Sequence, residues 1–172
     1  MVITTNRLCM TSISESDWML FKQLHSDPRV INLCFDELDE FALKSKFESR
    51  LAAWTPDSDT WLCLIISDRN SGKKIGLTGF CMVDGGIAEV GYLLLPEFYG
   101  RNYATESLIG LIDWATMEHG ITNYKAVVTE GNVASERVLI KCGFHLHDVI
   151  PESYEIAGKR YADRIYLRHC RG

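Results

Sequence analysis

The sequence predicts an α/β (α+β) fold. It should form a single domain over residues 1–172, with a mixed, mostly antiparallel sheet of about seven strands flanked by about four helices. Three observations lead there. Short apolar runs alternate at strand spacing between turn residues. Longer runs repeat at helical spacing, and one strand–helix–strand unit calls for a parallel pairing. A chain of 172 residues can bury one sizeable core but is short for two ordinary domains.

Taken in order, RLCMTSI (7–13) alternates and reads as the first strand. Ser14, with Asp17 three residues on, forms a weak capping box before a helix whose apolar face is Trp18, Phe21 and Leu24. Residues 36–54 place Leu38, Phe41, Phe47, Leu51 and Trp54 at broadly helical spacing, with a gap at Lys44 and Ser45, and predict a second helix. A three-strand meander follows: WLCLIISD (61–68) and KKIGLTGFCMV (73–83) flank RNSG, and IAEVGYLLL (87–95) follows DGG.

Leu108, Leu111, Ile112 and Ala115 mark a helix that starts near Tyr103 and stops near Gly120. The strand NYKAVVTE (123–130) is reached through that helix, so it should lie parallel to its neighbour. NVASERVLIKCGF (132–144) has an Asn cap and a Gly stop, and two closing strands fall around 144–150 and 159–170.

Charge and composition narrow the function. The formal charge is −5 and no basic run reaches three residues, which argues against a nucleic-acid partner. Cys9, Cys34, Cys63, Cys81, Cys142 and Cys170 contain no CxxC pair and read as small buried hydrophobes of a reducing compartment. No metal is expected. The histidines lack metal-binding spacing, although His145 and His147 would share a strand face. MVITTNRLCM has no apolar signal core, and no apolar run approaches the ~20 residues that cross a bilayer, so a cytoplasmic, membrane-free protein is expected.

The stretch LPEFYGRNYATESL (94–107) carries the strongest signal. A strand running through a short loop into a helix aims unpaired N–H groups and the positive helix end at one point, and phosphate is the natural ligand there. Gly100 permits close approach, Arg101 offers charge-assisted hydrogen bonds, Thr105 offers a hydroxyl, and Glu106 suits the first helical turn. A tight connection with no ligand is the ordinary alternative. GxxxxGK[ST] and GxGxxG are both absent from the chain, which sets aside the two better-known phosphate loops.

AEVGYLLLPEFYGRNYATESL (88–108) followed by NVASERVLIKCGF (132–144) resembles the GNAT acetyltransferase superfamily. The closest likeness is to its RimJ/RimL-like branch, which acetylates protein N-termini and has spermidine and other small-amine acetyltransferases as relatives. The N-terminal Arg7-Leu8 and the closing GKRYADRIYLRH are weaker likenesses, so the resemblance spans almost the whole chain. It implies an N-acetyltransferase that uses acetyl-CoA and a primary-amine acceptor, either a protein N-terminus or a small amine such as a polyamine or antibiotic.

The resemblance also implies a cofactor site. Tyr99, Gly100, Arg101, Asn102, Tyr103, Ala104 and Thr105 would cradle the pyrophosphate. Leu93, Leu94 and Leu95 would pair with the pantetheine arm as if it were an added strand, and Asn132 and Ser135 would line the thioester end. Key loop places differ from the family's usual residues, holding Tyr99, Asn102 and Ala104. Asparagine is one of the few non-glycine residues that accept a positive φ.

Acetyl transfer to an amine makes three demands. The amine must lose a proton, titrating near ~8 for an α-amine and ~10 for a lysine-like one. The oxyanion needs a donor, for which a backbone N–H near Leu93 or Leu94 serves, and the CoA thiolate must be stabilised. Glu89 is the candidate base, because alternation sets 89, 91, 93 and 95 on one strand face. An ordinary strand-edge glutamate, solvated or paired with an arginine, is the alternative.

Ser135 is the resemblance's candidate for the thiolate, with Tyr124, Tyr154 and Tyr166 as rival hydroxyls and an ordinary helix serine as the plain reading. Cys142 sits at a helix end and is a poor nucleophile, while Trp61 and Trp114 read as core or groove wall. Asp36, Glu37, Asp39 and Glu40 would either attract a cationic acceptor or simply open a helix. A non-catalytic acyl-CoA sensor is a further reading, and both monomer and homodimer remain open.

Overall fold

The computed structural model describes residues 1–171. One sheet holds eight strands: β1 (Val2–Thr4), β2 (Leu8–Ser12), β3 (Leu62–Asp68), β4 (Lys74–Val83), β5 (Ile87–Leu94), β6 (Asn123–Thr129), β7 (His145–Ile156) and β8 (Lys159–His169). Their spatial order is β1-β2-β3-β4-β5-β6-β8-β7. Every neighbouring pair is antiparallel except β5 and β6, the pair joined through a helix, as the strand–helix–strand reading requires. The helices are α1 (Trp18–Ser26), α2 (Pro28–Ile31), α3 (Glu40–Ser49), α4 (Tyr103–His119) and α5 (Val133–Lys141). Among the described residues, no helix is long and apolar enough to cross a membrane.

Local chemistry sets the helix ends. The Ser14 N–H donates to Asp17 Oδ2 (2.8 Å), making the expected capping box ahead of α1. Asp27 caps α2 by accepting from Arg29 N, with Pro28 in the first turn, where its missing N–H does no harm. Asp39 does the same for α3 through Ala42 N (2.8 Å). Gly120, at φ 65°, stops α4 in the left-handed region.

The sheet is covered on both faces. Leu62, Leu64 and Ile66 of β3 pack with Leu108, Leu111 and Ile112 of α4 and Leu139 of α5. Cys63 and Ile65 turn the other way, onto Phe21 of α1 and Leu43 and Phe47 of α3. This explains why β3 is one unbroken apolar run rather than an alternating one.

Three differences from the sequence reading have physical causes. β1 is a three-residue strand, too short to show a period, and it pairs only with β2. The second helix covers ten residues, not 36–54: Leu38 and Phe41 are 39% and 84% exposed, and the buried face is Leu43 and Phe47. Trp54 lies beyond the helix and packs on Phe80, centroids 5.0 Å apart, in the opposite core. The third difference is in β7, which runs on to Ile156 past Pro151. Its register shifts between Leu146 and Asp148 and again between Ile150 and Tyr154. The first shift leaves His147 without a cross-strand partner, so His145 and His147 do not share a regular face.

Candidate active site

The site begins where two strands part. β5 and β6 pair only over Ile87–Glu89 and Asn123–Lys125, and beyond that rung each keeps only its outer neighbour, β4 or β8. The Leu95 N–H donates to Ile75 O (2.9 Å), so antiparallel alternation turns the peptide groups of Leu93 and Gly91 toward β4. Those of Val90, Tyr92 and Leu94 therefore face the gap, leaving backbone donors and acceptors on an edge inside the sheet. The side chains alternate in their packing: Ala88, Val90, Tyr92 and Leu94 join the core under α4 and α5, and Leu93 and Leu95 pack with Leu24, Val30 and Ile31. Glu89 to Leu93 all line one cavity, and Leu95 does not.

Two cavities open at this gap. One, of about 300 Å³, is walled by α1, α3 and the splayed strands and includes His25, Lys46, Arg50, Trp61 and Glu89. The other, of about 510 Å³, runs along the loop before α4 and the start of α5. They share Leu33, Cys34, Tyr92, Leu93, Asn132 and Ser135, so they meet at one junction.

The larger cavity contains most of the loop read as a phosphate cradle. Tyr99, Gly100, Asn102, Tyr103, Ala104 and Thr105 line it together with Leu93 and Leu94. Gly100 and Asn102 have φ of 74° and 59°, so asparagine does hold the left-handed turn. The first intrahelical bond is Glu106 N to Asn102 O, which leaves the N–H groups of Tyr103, Ala104 and Thr105 without helical acceptors. The buried Thr105 Oγ1 also has no hydrogen-bond partner. Free donors, a positive helix end and an orphaned hydroxyl fit the pyrophosphate of acetyl-CoA.

Other loop residues turn elsewhere. Arg101 lies over the Phe98 ring (5.7 Å) and lines neither cavity; nor does Leu95. The Tyr99 hydroxyl donates to Arg29 O (3.5 Å). Glu106 faces away from the cavity and accepts from Thr5 Oγ1 (2.6 Å), Arg7 N (2.7 Å) and Arg7 Nε (2.6 Å), tying α4 to the turn between β1 and β2. These partners outweigh the burial that opposes them and hold its carboxyl below the usual range. Sequence reasoning missed three cations on this wall: Arg29, Arg137 and Lys141. Lys141 Nζ donates to Asn102 Oδ1 (2.7 Å), bridging α5 to the loop. Its position before Cys142 and Gly143 carried no signal of that contact, which only folding creates.

Glu89 lines the smaller cavity, and its Oε2 lies 3.1 Å from Lys125 Nζ. Asn132 caps α5 through Ser135 N (3.3 Å), and its Nδ2 donates to Leu33 O (3.4 Å), fixing the junction from both sides. Ser135 lines both cavities. The rival tyrosines do not: the Tyr124 hydroxyl is bound in the core by Ile112 O, Ile121 O and Thr116, and Tyr154 and Tyr166 line neither cavity. The tyrosine at the junction is Tyr92. Its hydroxyl donates to Ser135 O (3.2 Å), and burial pushes its pKa upward. Burial likewise raises the Cys34 thiol, so this junction cysteine is held protonated.

The acidic cluster is occupied structurally. Asp39 caps α3, Glu40 pairs with Lys22 (2.8 Å), and Asp36 accepts from Ala157 N (2.8 Å). None of Asp36, Glu37, Asp39 and Glu40 lines either central cavity.

A split sheet with free N–H donors at a helix start on one side and a second cavity meeting it at the strand gap suits a transferase that brings two substrates to one point. The comparisons agree. Residues 7–145 match the acetyltransferase (GNAT) domain, and the chain belongs to that family. It is 27% identical over 171 residues to a Bacillus subtilis (strain 168) protein described as the uncharacterized N-acetyltransferase YoaA, covering 91% of this chain and 96% of that one.

Solved structures of similar fold include RimL, a ribosomal L7/L12 alpha-N-protein acetyltransferase in complex with coenzyme A. It has a TM-score of 0.82 and 16% identity, with 98% of each chain covered. Spermidine N-acetyltransferase from Vibrio cholerae, in complex with CoA and spermine, also has a TM-score of 0.82, at 15% identity and 96% coverage of each chain. At such identities the likeness establishes the fold. The protein is thus an acetyl-CoA-dependent N-acetyltransferase of the GNAT family.

Proposed function

We propose that the acceptor is a protein N-terminal α-amine, as in the RimJ/RimL-like branch. The meeting of the two cavities at Cys34, Tyr92, Leu93, Asn132 and Ser135 supports transfer to an amine, because an amine in one cavity and a thioester in the other would meet there. An α-amine titrates near ~8, so near neutrality a single carboxylate suffices to take its proton, whereas a lysine amine near ~10 asks more of the base. The cavity provides one carboxylate, Glu89.

The roles follow from position. The N–H groups at the start of α4 and the Thr105 hydroxyl hold the pyrophosphate, with Lys141 beside them. The pantetheine amides take the place of the missing rung along Tyr92 and Leu94. A gap-facing backbone N–H there receives the carbonyl oxygen as it gains charge. Nitrogen attacks the acetyl carbon, a C–N bond forms and the C–S bond breaks. The proton lost from nitrogen goes to Glu89, directly or through water, and a proton reaches the CoA sulfur from the Ser135 side.

The test is a thiol-release assay with acetyl-CoA and peptides bearing a free or a blocked N-terminus, alongside free small amines. Turnover that requires the free peptide N-terminus supports the proposal. Turnover confined to small amines moves the acceptor to that class.

A further inference from the structure

We infer that the acceptor amine carries an anionic group, a carboxylate or phosphate, which docks between Lys46 and Arg50. The inference rests on reading the smaller cavity as the acceptor site. Lys46 and Arg50 stand four residues apart at the end of α3, and both line that cavity. Among the described residues neither side chain has an ion-pair or hydrogen-bond partner. Each lies instead over an aromatic ring of the same cavity: Lys46 Nζ is 5.0 Å from the Phe35 centroid, and Arg50 Cζ is 5.1 Å from the Trp61 centroid. A ring face holds a cation in place without neutralising it.

Two half-buried like charges at this spacing repel one another and lose hydration. Burial lowers the pKa of both, and for Lys46 the charge of Arg50 adds to it. His25 on the facing helix lines the same cavity, and after burial the charges of both cations add to the lowering of its pKa. A bound anion would relieve all of these at once.

The opposing charges do not cancel this field. Glu89 is the one Asp or Glu lining the cavity, and Lys125 is already paired with it. Of the acidic residues that the sequence offered for a cationic acceptor, Asp39, Glu40 and Asp36 are taken up by Ala42 N, Lys22 and Ala157 N, and Glu37 does not line the cavity. The wall is therefore cationic on a chain whose net charge is −5, so it attracts anions locally where the molecule as a whole repels them. A polyamine would bring more positive charge against Lys46 and Arg50. An amine with a nearby anion can set its nitrogen toward Glu89 and its negative group toward α3.

The test uses the full chain with acetyl-CoA and matched acceptor pairs. Peptides differ only in Asp or Glu against Asn or Gln near a free N-terminus, phosphoethanolamine is set against ethanolamine, and spermidine serves as the cationic control. Expected is a kcat/KM about ten-fold or more higher for the anionic member of each reacting pair, carried mainly by KM. Lys46→Met and Arg50→Met should each shrink that preference, while Lys46→Arg and Arg50→Lys keep it. An acetyl-CoA thermal shift on every variant confirms that it is folded.

Equal use of the two members, a preference for spermidine, no reaction with any anionic amine, or an unchanged preference in both methionine variants overturns the inference. If all peptides are inert while phosphoethanolamine outruns ethanolamine, the charge inference stands and the protein-N-terminus reading falls.

Discussion

Glu89 and Lys125 form an ion pair, Oε2 to Nζ 3.1 Å, across the last rung at which β5 and β6 still touch. One step beyond it the strands separate and the cavities begin. A carboxylate held at that point lines the smaller cavity and ties the two strands, and its two possible roles, base and strand tie, are separable by mutation.

Glu89→Gln and Lys125→Met separate these roles. Loss of a general base lowers kcat/KM by about a hundred-fold. The effect should be largest below about pH 8, where most α-amine is protonated. Lys125→Met breaks the same ion pair and leaves the carboxylate, so its loss should be much smaller. Equal losses at all pH values would make the pair structural.

At the other side of the junction, Ser135→Ala should bind acetyl-CoA as before and turn over slowly. Tyr92→Phe removes the bond to Ser135 O and should cost about 1 kcal/mol of stability. Steady-state rates and melting curves on both variants decide this. A wild-type rate in Ser135→Ala would leave the serine as a helix residue only.

Acetyl-CoA at 100 times its Kd should stabilise the protein by about 2.7 kcal/mol, roughly 5 °C, while ATP and NAD leave Tm unchanged. Asn102→Gly, which keeps the φ of 59° without strain, should retain that shift. Asn102→Ala should cost about 1 kcal/mol, and Lys141→Met should weaken the ligand shift with little effect on the apo Tm. A full ligand shift in all three variants would mean that the loop does not hold the phosphates.

Burial lowers the His25 pKa to about 4, against an opposing bond to Phe21 O and with help from Lys46 and Arg50. The unfolded chain therefore takes up this proton at a higher pH than the folded one. Stability is complete above about pH 6.5 and falls as pH drops toward 4, by on the order of 3 kcal/mol. The depressed carboxyl of Glu106 acts in the opposite sense of charge and in a lower window, its contribution being lost as pH falls below its usual value of 4.5. His25→Phe should flatten the upper window only. Denaturant midpoints between pH 7 and 4 measure it, and an unchanged slope in that variant would assign the acid loss elsewhere.

The cofactor side was far more legible in sequence than the acceptor side. Gly100, Asn102 and the run into α4 are neighbours in the chain, so their backbone demands appear as a local pattern. Lys46 and Arg50 carry no local signal in the sequence, where Lys44 and Ser45 read as a gap. Their meaning lies in the Phe35 and Trp61 rings, which come from other segments. Phe41 misled because its spacing fits a helix face that in fact points to water, 84% exposed. Alternation sets Tyr92 on the strand face opposite Glu89, so nothing in the sequence signals its place at the junction. Its hydroxyl reaches the site by contacting α5.

The two cavities share six residues and otherwise have separate walls. Neither substrate has to vacate a passage for the other. Both can therefore be bound when transfer occurs, and initial-rate lines taken at several fixed acceptor concentrations should converge rather than run parallel.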